Sequence, residues 1–427
     1  MTEPKTQLVK IEKPVYGGAS LARIEGKAVF VPLTLPGEQV RIRIVQEKRR
    51  YATAEAEEIL SPAAERITPA CKHFGACGGC SYQHANYDAQ LKFKLTILRE
   101  TLERAGVPLP VEIDVLSSEP WHYRNRIRLA FDAAGNPGYR GRRSHAVVAI
   151  EECPIAAPIL IKAALAFREA LHATAMPAMR PTELSLFCNA DESAVLASLF
   201  IARPAKVRFD DLAHAWHVRV PELIGAELQV EDRDRKPART LARWGANSLA
   251  YRAAGLDYRV DQGSFFQVNR WLVDALVERV SADRRGKLAW DLFAGVGLFA
   301  RKLAESFGRV VAVESAPASI AALRENLKGR PGEVIQAETL SFLRRQKSER
   351  PDLIVLDPPR TGLGAETTAE LTRIGAPAIV DVSCDPATLA RDLRVLTGAS
   401  YVIESLALVD LFPQTFHLET VVKLRPA

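Results

Sequence analysis

A lone cysteine followed by an acid and a proline, Ser383-Cys384-Asp385-Pro386, stands between an apolar run, Ala378 to Val382, and an amphipathic stretch, Thr388 to Leu396. Strand, turn and helix in that order bring the sulfur to the carboxyl edge of a sheet, where a helix N-terminus helps to hold a thiolate. A cysteine there is the group needed when the carbon to be modified is carbon 5 of a pyrimidine, a poor nucleophile until something adds at carbon 6. Thiolate addition at carbon 6 creates an enolate whose carbon 5 can attack a methyl sulfonium. The adduct must then lose the carbon 5 proton to a general base before the cysteine leaves. Glu419, in Phe412-Pro-Gln-Thr-Phe-His417-Leu-Glu419, is the candidate base, and His417, two residues away on the same strand face, is its rival. By position alone, Cys384 is equally consistent with an inert packed thiol.

An adenosine-type pocket precedes it. Asp291-Leu-Phe-Ala-Gly295-Val-Gly297-Leu-Phe299 follows a strand and opens a helix, and its glycines let the backbone approach a ligand closely. Glu314, nineteen residues beyond Gly295, ends the next strand, where it can accept hydrogen bonds from two ribose hydroxyls. The third glycine of a dinucleotide fingerprint is replaced by Ala300, which favours S-adenosylmethionine over a dinucleotide. Asp357-Pro358-Pro359-Arg360 ends a later strand at the same edge, its prolines stiffening the turn.

Cys71, Cys77 and Cys80 form a second cluster, with Cys153 able to complete a set of four. The spacing resembles a plant-type iron-sulfur pattern lengthened by one residue, although four thiolates also suit structural zinc. Cys188 has no partner and reads as a small buried hydrophobe.

The elements that must position these groups follow from length and periodicity. A chain of 427 residues exceeds one compact core, so two or three domains are expected. No eighteen-residue uncharged apolar stretch and no leader-like start at Met1 are present, which points to a cytoplasmic protein without a membrane span. Six cysteines are too few for a disulfide scaffold. Residues 7 to 60 read as short strands of a small β-barrel carrying Arg41, Arg43, Lys48, Arg49 and Arg50. Leu91, Leu95, Leu98 and Leu102 fit an amphipathic helix over 87–105. From Glu112 to about Val260, strand-like segments and a helix near Ile161 to His172 suggest an α+β domain. Strands then alternate with helices, at Leu288 to Phe293, Val310 to Glu314, Val334 to Ala337, Leu353 to Leu356 and Ala378 to Val382, as in a parallel sheet. Tyr401 to Leu411 and His417 to Leu424 suggest a closing antiparallel hairpin.

The formal charge of +6 mildly favours a polyanionic partner. Trp121 to His145 says more, with six arginines against the single acid Asp132 and with Trp121, Tyr123, Phe131 and Tyr139 interleaved. Guanidinium groups for phosphates and rings for unstacked bases lie together, and Arg124, Arg126 and Arg128 share one face of a strand. A solvated sheet face is the plainer reading of the same pattern.

Taken together, Cys77-Gly78-Gly79-Cys80-Ser-Tyr-Gln83-His84, Phe265-Phe266-Gln267-Val-Asn269, Asp357-Pro-Pro-Arg360, Ser383-Cys384-Asp385-Pro386 and Phe412-Pro413-Gln414-Thr415 resemble the RNA 5-methyluridine methyltransferase family. The motifs run in order over nearly the whole chain, closest to the TRAM-domain, iron-sulfur-containing 23S rRNA uracil-5-methyltransferases. The resemblance implies a multidomain fold: an N-terminal TRAM (OB-like) β-barrel over 1–62, an α+β central domain with an iron-sulfur site over 63–260, and a class I methyltransferase α/β (Rossmann-like) domain over 261–427. It also implies that the helix at 87–106 packs on the catalytic domain.

By the same resemblance, Cys384 is the nucleophile and Glu419 the proton acceptor. Gln267, Phe293, Glu314 and Asp357 contact S-adenosylmethionine, and Cys71, Cys77, Cys80 and Cys153 ligate a [4Fe-4S] cluster. The implied partner is RNA, with large-subunit rRNA preferred to tRNA, and a monomer is expected. Three positions depart from the pattern. Asp385 replaces the usual Asn, a charge expected to raise the thiol's pKa, while Leu298 stands where some members have Asn and Ala294 where many have Cys. Two further readings use the same residues: an RNA-binding protein that has lost transfer, and a cytosine-5 methyltransferase.

Overall fold

The computed structural model describes residues 6–110, 112–174, 179–204, 208–230 and 238–427. The start of the chain, Met1 to Lys5, lies outside the described residues.

The N-terminal segment closes into a five-stranded barrel of β1 (Thr6–Pro14), β2 (Ala19–Ile24), β3 (Lys27–Pro32), β4 (Gln39–Glu47) and β5 (Tyr51–Ser61). Alternation along the strands turns Val9, Ile11, Val29, Val31, Val40 and Ile42 inward, while Leu8 stays exposed. The barrel is less of a bare basic surface than its composition suggests. Arg41 is bonded to Glu58, and Arg43 to Glu55 (2.7 Å) and Glu57 (3.1 Å), because the antiparallel register of β4 and β5 sets those charges opposite one another.

The chain then enters the cysteine loop and α1 (Tyr87–Arg104), capped by Asn86, whose Oδ1 accepts from the Ala89 N–H (2.9 Å). The short strand β6 (Asp114–Leu116) follows. A seven-stranded sheet forms the centre, built from β7 (Arg126–Phe131), β8 (Pro137–Arg140), β9 (Val147–Ala149), β10 (Pro181–Cys188), β11 (Val195–Ile201), β12 (Leu223–Val230) and β13 (Arg239–Gly245). Two helices, α2 (Pro158–Ala173) and α3 (Phe209–Arg219), pack on it around Phe167, Trp216, Leu186 and the fully buried Cys188. Arg126 and Arg128 share the other face of β7. Arg124 does not join them: it precedes β7, bridges to Ala156 and Asn269, and turns inward toward the cysteines.

The hairpin β14 (Ser248–Ala253) and β15 (Leu256–Asp261) puts Tyr251, Tyr258 and Val260 into the apolar cluster of the C-terminal sheet. The segment that builds that sheet runs through α4 (Val273–Ser281), β16 (Gly286–Leu292), α5 (Leu298–Leu303), β17 (Phe307–Glu314), α6 (Pro317–Leu327), β18 (Gly332–Gln336), α7 (Thr339–Arg345) and β19 (Leu353–Leu356). It continues with α8 (Gly364–Ile374), β20 (Ile379–Ser383), α9 (Pro386–Gly398), β21 (Tyr401–Val409) and β22 (Thr420–Pro426). Its strand order is β18-β17-β16-β19-β20-β22-β21-β6. The central parallel strands are apolar along their length because helices cover both faces. Ala289, Val355 and Val380 face one layer, while Trp290, Ile354 and Ile379 face the other.

The chain order reverses between β16 and β19, which opens a crevice at their carboxyl ends. The parallel edge strand β6, paired with β21, arrives from before the central sheet in sequence. The closing hairpin is shorter than its hydropathy suggests, because residues 410–419 form a loop and β22 begins only at Thr420.

Candidate active site

The loop after β16 is held in a conformation that few side chains allow. Gly295 and Gly297 have φ of +57° and +88°, and a Cβ on Gly297 would lie 2.6 Å from Leu323 Cδ1. Phe293 shares the left-handed region at φ 66°, a strained state for an aromatic residue. Glu314 braces the loop: its carboxylate accepts from the Gly295 N–H (2.7 Å) and the Ala316 N–H (2.6 Å). Each oxygen keeps a further lone pair, enough for ribose hydroxyls. Beneath them Asp291 accepts from the Ala300 N–H (2.7 Å), and burial pushes its carboxyl up to about 8. Ala294 and Leu298 are buried in the apolar layer below the loop.

Asp357 leaves β19 at the same edge. The Gln267 side chain donates to Asp357 Oδ2 (3.1 Å), so two candidates 90 residues apart meet directly. Burial raises Asp357 to about 7, with the Gln267 bond opposing. The Gln267 backbone is fixed in turn, since the Asn125 side chain donates to its carbonyl (2.9 Å) and Asn269 caps the next turn at Trp271 (2.9 Å).

Cys384 sits one residue past β20. The antiparallel register of β20 with β22 ends on Ser383 opposite Thr420, so Cys384 and Glu419 each lie one residue beyond the last pair. They are close enough for the Glu419 carboxyl to act on the thiol. Burial, then the carboxyl groups of Glu419 and Asp357, push the Cys384 thiol up to about 12, while Arg360 pulls it down. The helix N-terminus therefore does not yield a ready thiolate in the free protein. Asp385 spends its charge on the helix: its Oδ1 accepts from the Ala387 and Thr388 N–H groups (both 3.0 Å).

Glu419 is fully inside, and burial with Asp357 and Asp381 lifts its pKa well above the carboxylate range. His417 lies in the loop before β22, so the shared strand face expected for it and Glu419 does not exist. Its ring packs on Phe416 (4.3 Å between centroids), with Nδ1 3.5 Å from Arg360, and burial and that guanidinium lower it to about 4.

Two residues with no assigned role belong to this neighbourhood. Arg360 acts electrostatically on Cys384, Glu419 and His417 alike. Its place right after Asp357-Pro-Pro was the available signal. Tyr16, on the β1–β2 turn of the barrel, meets Phe416 edge-on at 5.6 Å, and Asp385 acts on its hydroxyl. No local pattern links residues so far apart in the chain.

Cys71, Cys77, Cys80 and Cys153 line one cavity of about 40 Å³ together with Tyr139 and Arg124. The Gly79 N–H donates to Cys77 Sγ (3.4 Å), and burial raises the thiols of Cys77, Cys80 and Cys153. Arg124 Nε is buried without a hydrogen-bond partner. Four sulfurs and a buried cation around one space suit a sulfur-ligated group of net negative charge. Among the described residues no group of three or more His, Cys, Asp or Glu side chains is gathered closely enough to hold a metal ion.

Residues 2–56 match the TRAM domain model, and residues 344–426 match the tRNA (Uracil-5-)-methyltransferase model. A Streptomyces avermitilis protein named as an uncharacterized RNA methyltransferase is 35% identical over 98% of both chains. The Halomonas elongata 23S rRNA (uracil(1939)-C(5))-methyltransferase RlmD is 31% identical over 99% of this chain and 90% of that one. The chain belongs to the RNA uracil-5-methyltransferase family. Its architecture is that of a family member of known structure, the Pyrococcus abyssi tRNA (uracil-54, C5)-methyltransferase, solved with S-adenosyl-L-homocysteine. The two share 24% identity and a TM-score of 0.79 over 98% of this chain and 100% of that one. Within the family framework, the barrel and the parallel sheet are the TRAM and methyltransferase domains.

Proposed function

We propose that this protein transfers a methyl group from S-adenosylmethionine to carbon 5 of a specific uridine in RNA, with 23S rRNA the preferred substrate and tRNA the second. The reading is supported by the neighbourhood of Cys384, on which the Glu419 and Asp357 carboxyl groups act, with Gln267 bonded to Asp357. S-adenosylmethionine supplies the methyl group as a sulfonium. Gln267, Phe293, Glu314 and Asp357 are the residues proposed to hold it, with Glu314 on the ribose.

The target base must leave its stack to reach Cys384. Cys384 Sγ then adds to carbon 6, and the electrons of the 5,6 double bond move into an enolate whose carbon 5 takes the methyl group. Glu419 removes the carbon 5 proton and the re-forming double bond expels the thiolate. Burial raises both groups in the free protein, so each must be drawn toward its ionised form as the site fills. Arg360 is the nearby cation that favours both anions.

The four cysteines are proposed as ligands of a [4Fe-4S] cluster backed by Arg124. The chemistry above needs no electron, so a structural role is inferred. No helix among the described residues is long and apolar enough to cross a membrane, and a cytoplasmic location is proposed.

RNA carrying 5-fluorouridine at the target tests the reading, because fluorine cannot leave as a proton does and the thioether adduct persists. The wild-type protein is expected to form a stable covalent complex, and Cys384→Ala to form none. An adduct with the variant would sink the assignment of Cys384.

A further inference from the structure

The face of the central sheet turned away from α2 and α3 carries a cavity of about 240 Å³ that the proposed chemistry does not use. Strand register builds it. Arg126 on β7 opposes Phe187 on β10, Arg128 opposes Ser185, and Ser185 opposes Ser198 on β11. Cations, rings and hydroxyls thus lie in neighbouring rows of one face. The Arg126 guanidinium lies 4.3 Å from the centroid of the Phe187 ring, and that of Arg128 lies 4.8 Å from the centroid of Phe200. Gln262 and Gly263, a few residues ahead of Gln267, also line the cavity. The space therefore adjoins the segment that carries Gln267.

The two arginines differ in one respect that points to a ligand. Arg128 is bonded to Glu183. Among the described residues no acidic side chain pairs with Arg126, and its Nε is buried without a hydrogen-bond partner. Desolvating a guanidinium is costly unless an anion completes it. The ring beneath Arg126 fixes its plane and leaves its N–H groups to an incoming acceptor. The cavity exceeds what a free phosphate fills, and its aromatic-guanidinium platform suits the flat face of a base.

We propose that this cavity is a second nucleotide site, taking one unstacked nucleotide of single-stranded RNA beside the target, with its phosphodiester on Arg126 and its base along Arg128 and Phe200. The proposal rests on the reading that RNA is the substrate. It adds a place on the central sheet where the strand next to the flipped uridine is held.

Titration of the full-length protein with a short labelled single-stranded oligoribonucleotide at several salt concentrations tests it, with S-adenosylhomocysteine calorimetry as a check on folding. Arg126→Met is expected to weaken RNA binding about tenfold and to lower the salt slope by about one, because one phosphate contact is lost. Its affinity for S-adenosylhomocysteine should not change. A second measurement needs no variant: 5-iodouridine RNA irradiated on the wild-type protein should crosslink to the peptide bearing Phe200 or Phe187.

Wild-type affinity and salt slope in a folded Arg126→Met would overturn the site. So would crosslinks mapping only elsewhere, which decide the matter if that variant does not fold. Crosslinks in the cavity on RNA that never gains 5-methyluridine leave the site standing and remove the catalytic reading. Normal methylation with an unaffected Arg126→Met removes the site alone, and a wild-type protein that binds no RNA removes both.

Discussion

At the scale of single residues, the candidate site is a set of acids and a thiol kept protonated by burial. Asp291 and Asp381 are both raised to about 8, and Asp357 to about 7. A carboxyl whose folded pKa lies above its unfolded value binds its proton more tightly in the native state, so its contribution to stability is complete below the unfolded value, near 4. That contribution is lost as pH rises through the folded value. The free protein should therefore lose stability as pH rises from about 4 to about 8. Asp381→Asn, neutral throughout, should flatten that loss in denaturant melts, and an unchanged pH slope would show that Asp381 does not hold its proton. Glu419→Gln should still add to the base and then stall before elimination, so a covalent RNA complex should accumulate with ordinary uridine substrate. Normal turnover by Glu419→Gln would move the base elsewhere, with the neutral imidazole of His417 next in line.

At the scale of elements, the loop 410–419 is anchored by a helix more than 300 residues earlier in the chain. Lys94 on α1 lies wholly buried, 2.5 Å from Asp410 Oδ1 and 2.8 Å from the Phe412 carbonyl. Tyr87 donates to the other oxygen of Asp410 (2.9 Å), and Gln90 exchanges hydrogen bonds with Gln414. Lys94→Ala would strand the Asp410 carboxylate inside the protein. Removing one partner of such a pair costs about 3–5 kcal/mol, so a clear fall in the urea midpoint is expected. A loss below about 1 kcal/mol would show that water reaches the pair.

These contacts also mark how far local sequence could be read. Asp291, Glu314, Asp357 and Cys384 stood out because each ends an apolar strand before a turn, and strand ends in a parallel sheet share one edge. The strand expected from His417 to Leu424 begins only at Thr420, because the loop before it is held by the bonds of Lys94 to the Phe412 carbonyl, Gln90 to the Gln414 N–H and Thr415 to the Phe412 carbonyl and the His417 N–H. Gln267 came only from family resemblance. Tyr16 and the Lys94–Asp410 pair came from neither, because no periodicity encodes a contact between distant segments, while Arg360 stood in the Asp357-Pro-Pro-Arg360 motif with no role attached to it. Arg124 was grouped with Arg126 and Arg128 by simple alternation, which fails where the strand has not yet begun.

At the scale of the whole molecule, three units converge on one end of the catalytic sheet. The barrel brings Tyr16 beside Phe416 and Asp385, and Lys13 on β1 bonds Glu100 on α1 (2.6 Å). The central unit brings the four-cysteine cavity within reach of the same loop, since Tyr123, beside Arg124, donates to the Pro413 carbonyl (3.0 Å). A cluster in that cavity would tie the segment 71–80 to Cys153 and so stiffen the segment from which Tyr123 holds the 410–419 loop. Protein purified without air should therefore contain iron and acid-labile sulfide and be brown. Cys80→Ser should lose the colour and melt at lower temperature, and a colourless wild type containing zinc would refute the cluster.

The central claim is chemical, and one assay addresses it. Labelled methyl from S-adenosylmethionine is offered with unmodified rRNA and tRNA transcripts, and the RNA is digested to nucleosides and mapped. Label confined to 5-methyluridine at one position, with rRNA preferred, is the result expected. Label in 5-methylcytidine would change the base, and RNA that binds but gains no label would contradict the assignment as a methyltransferase.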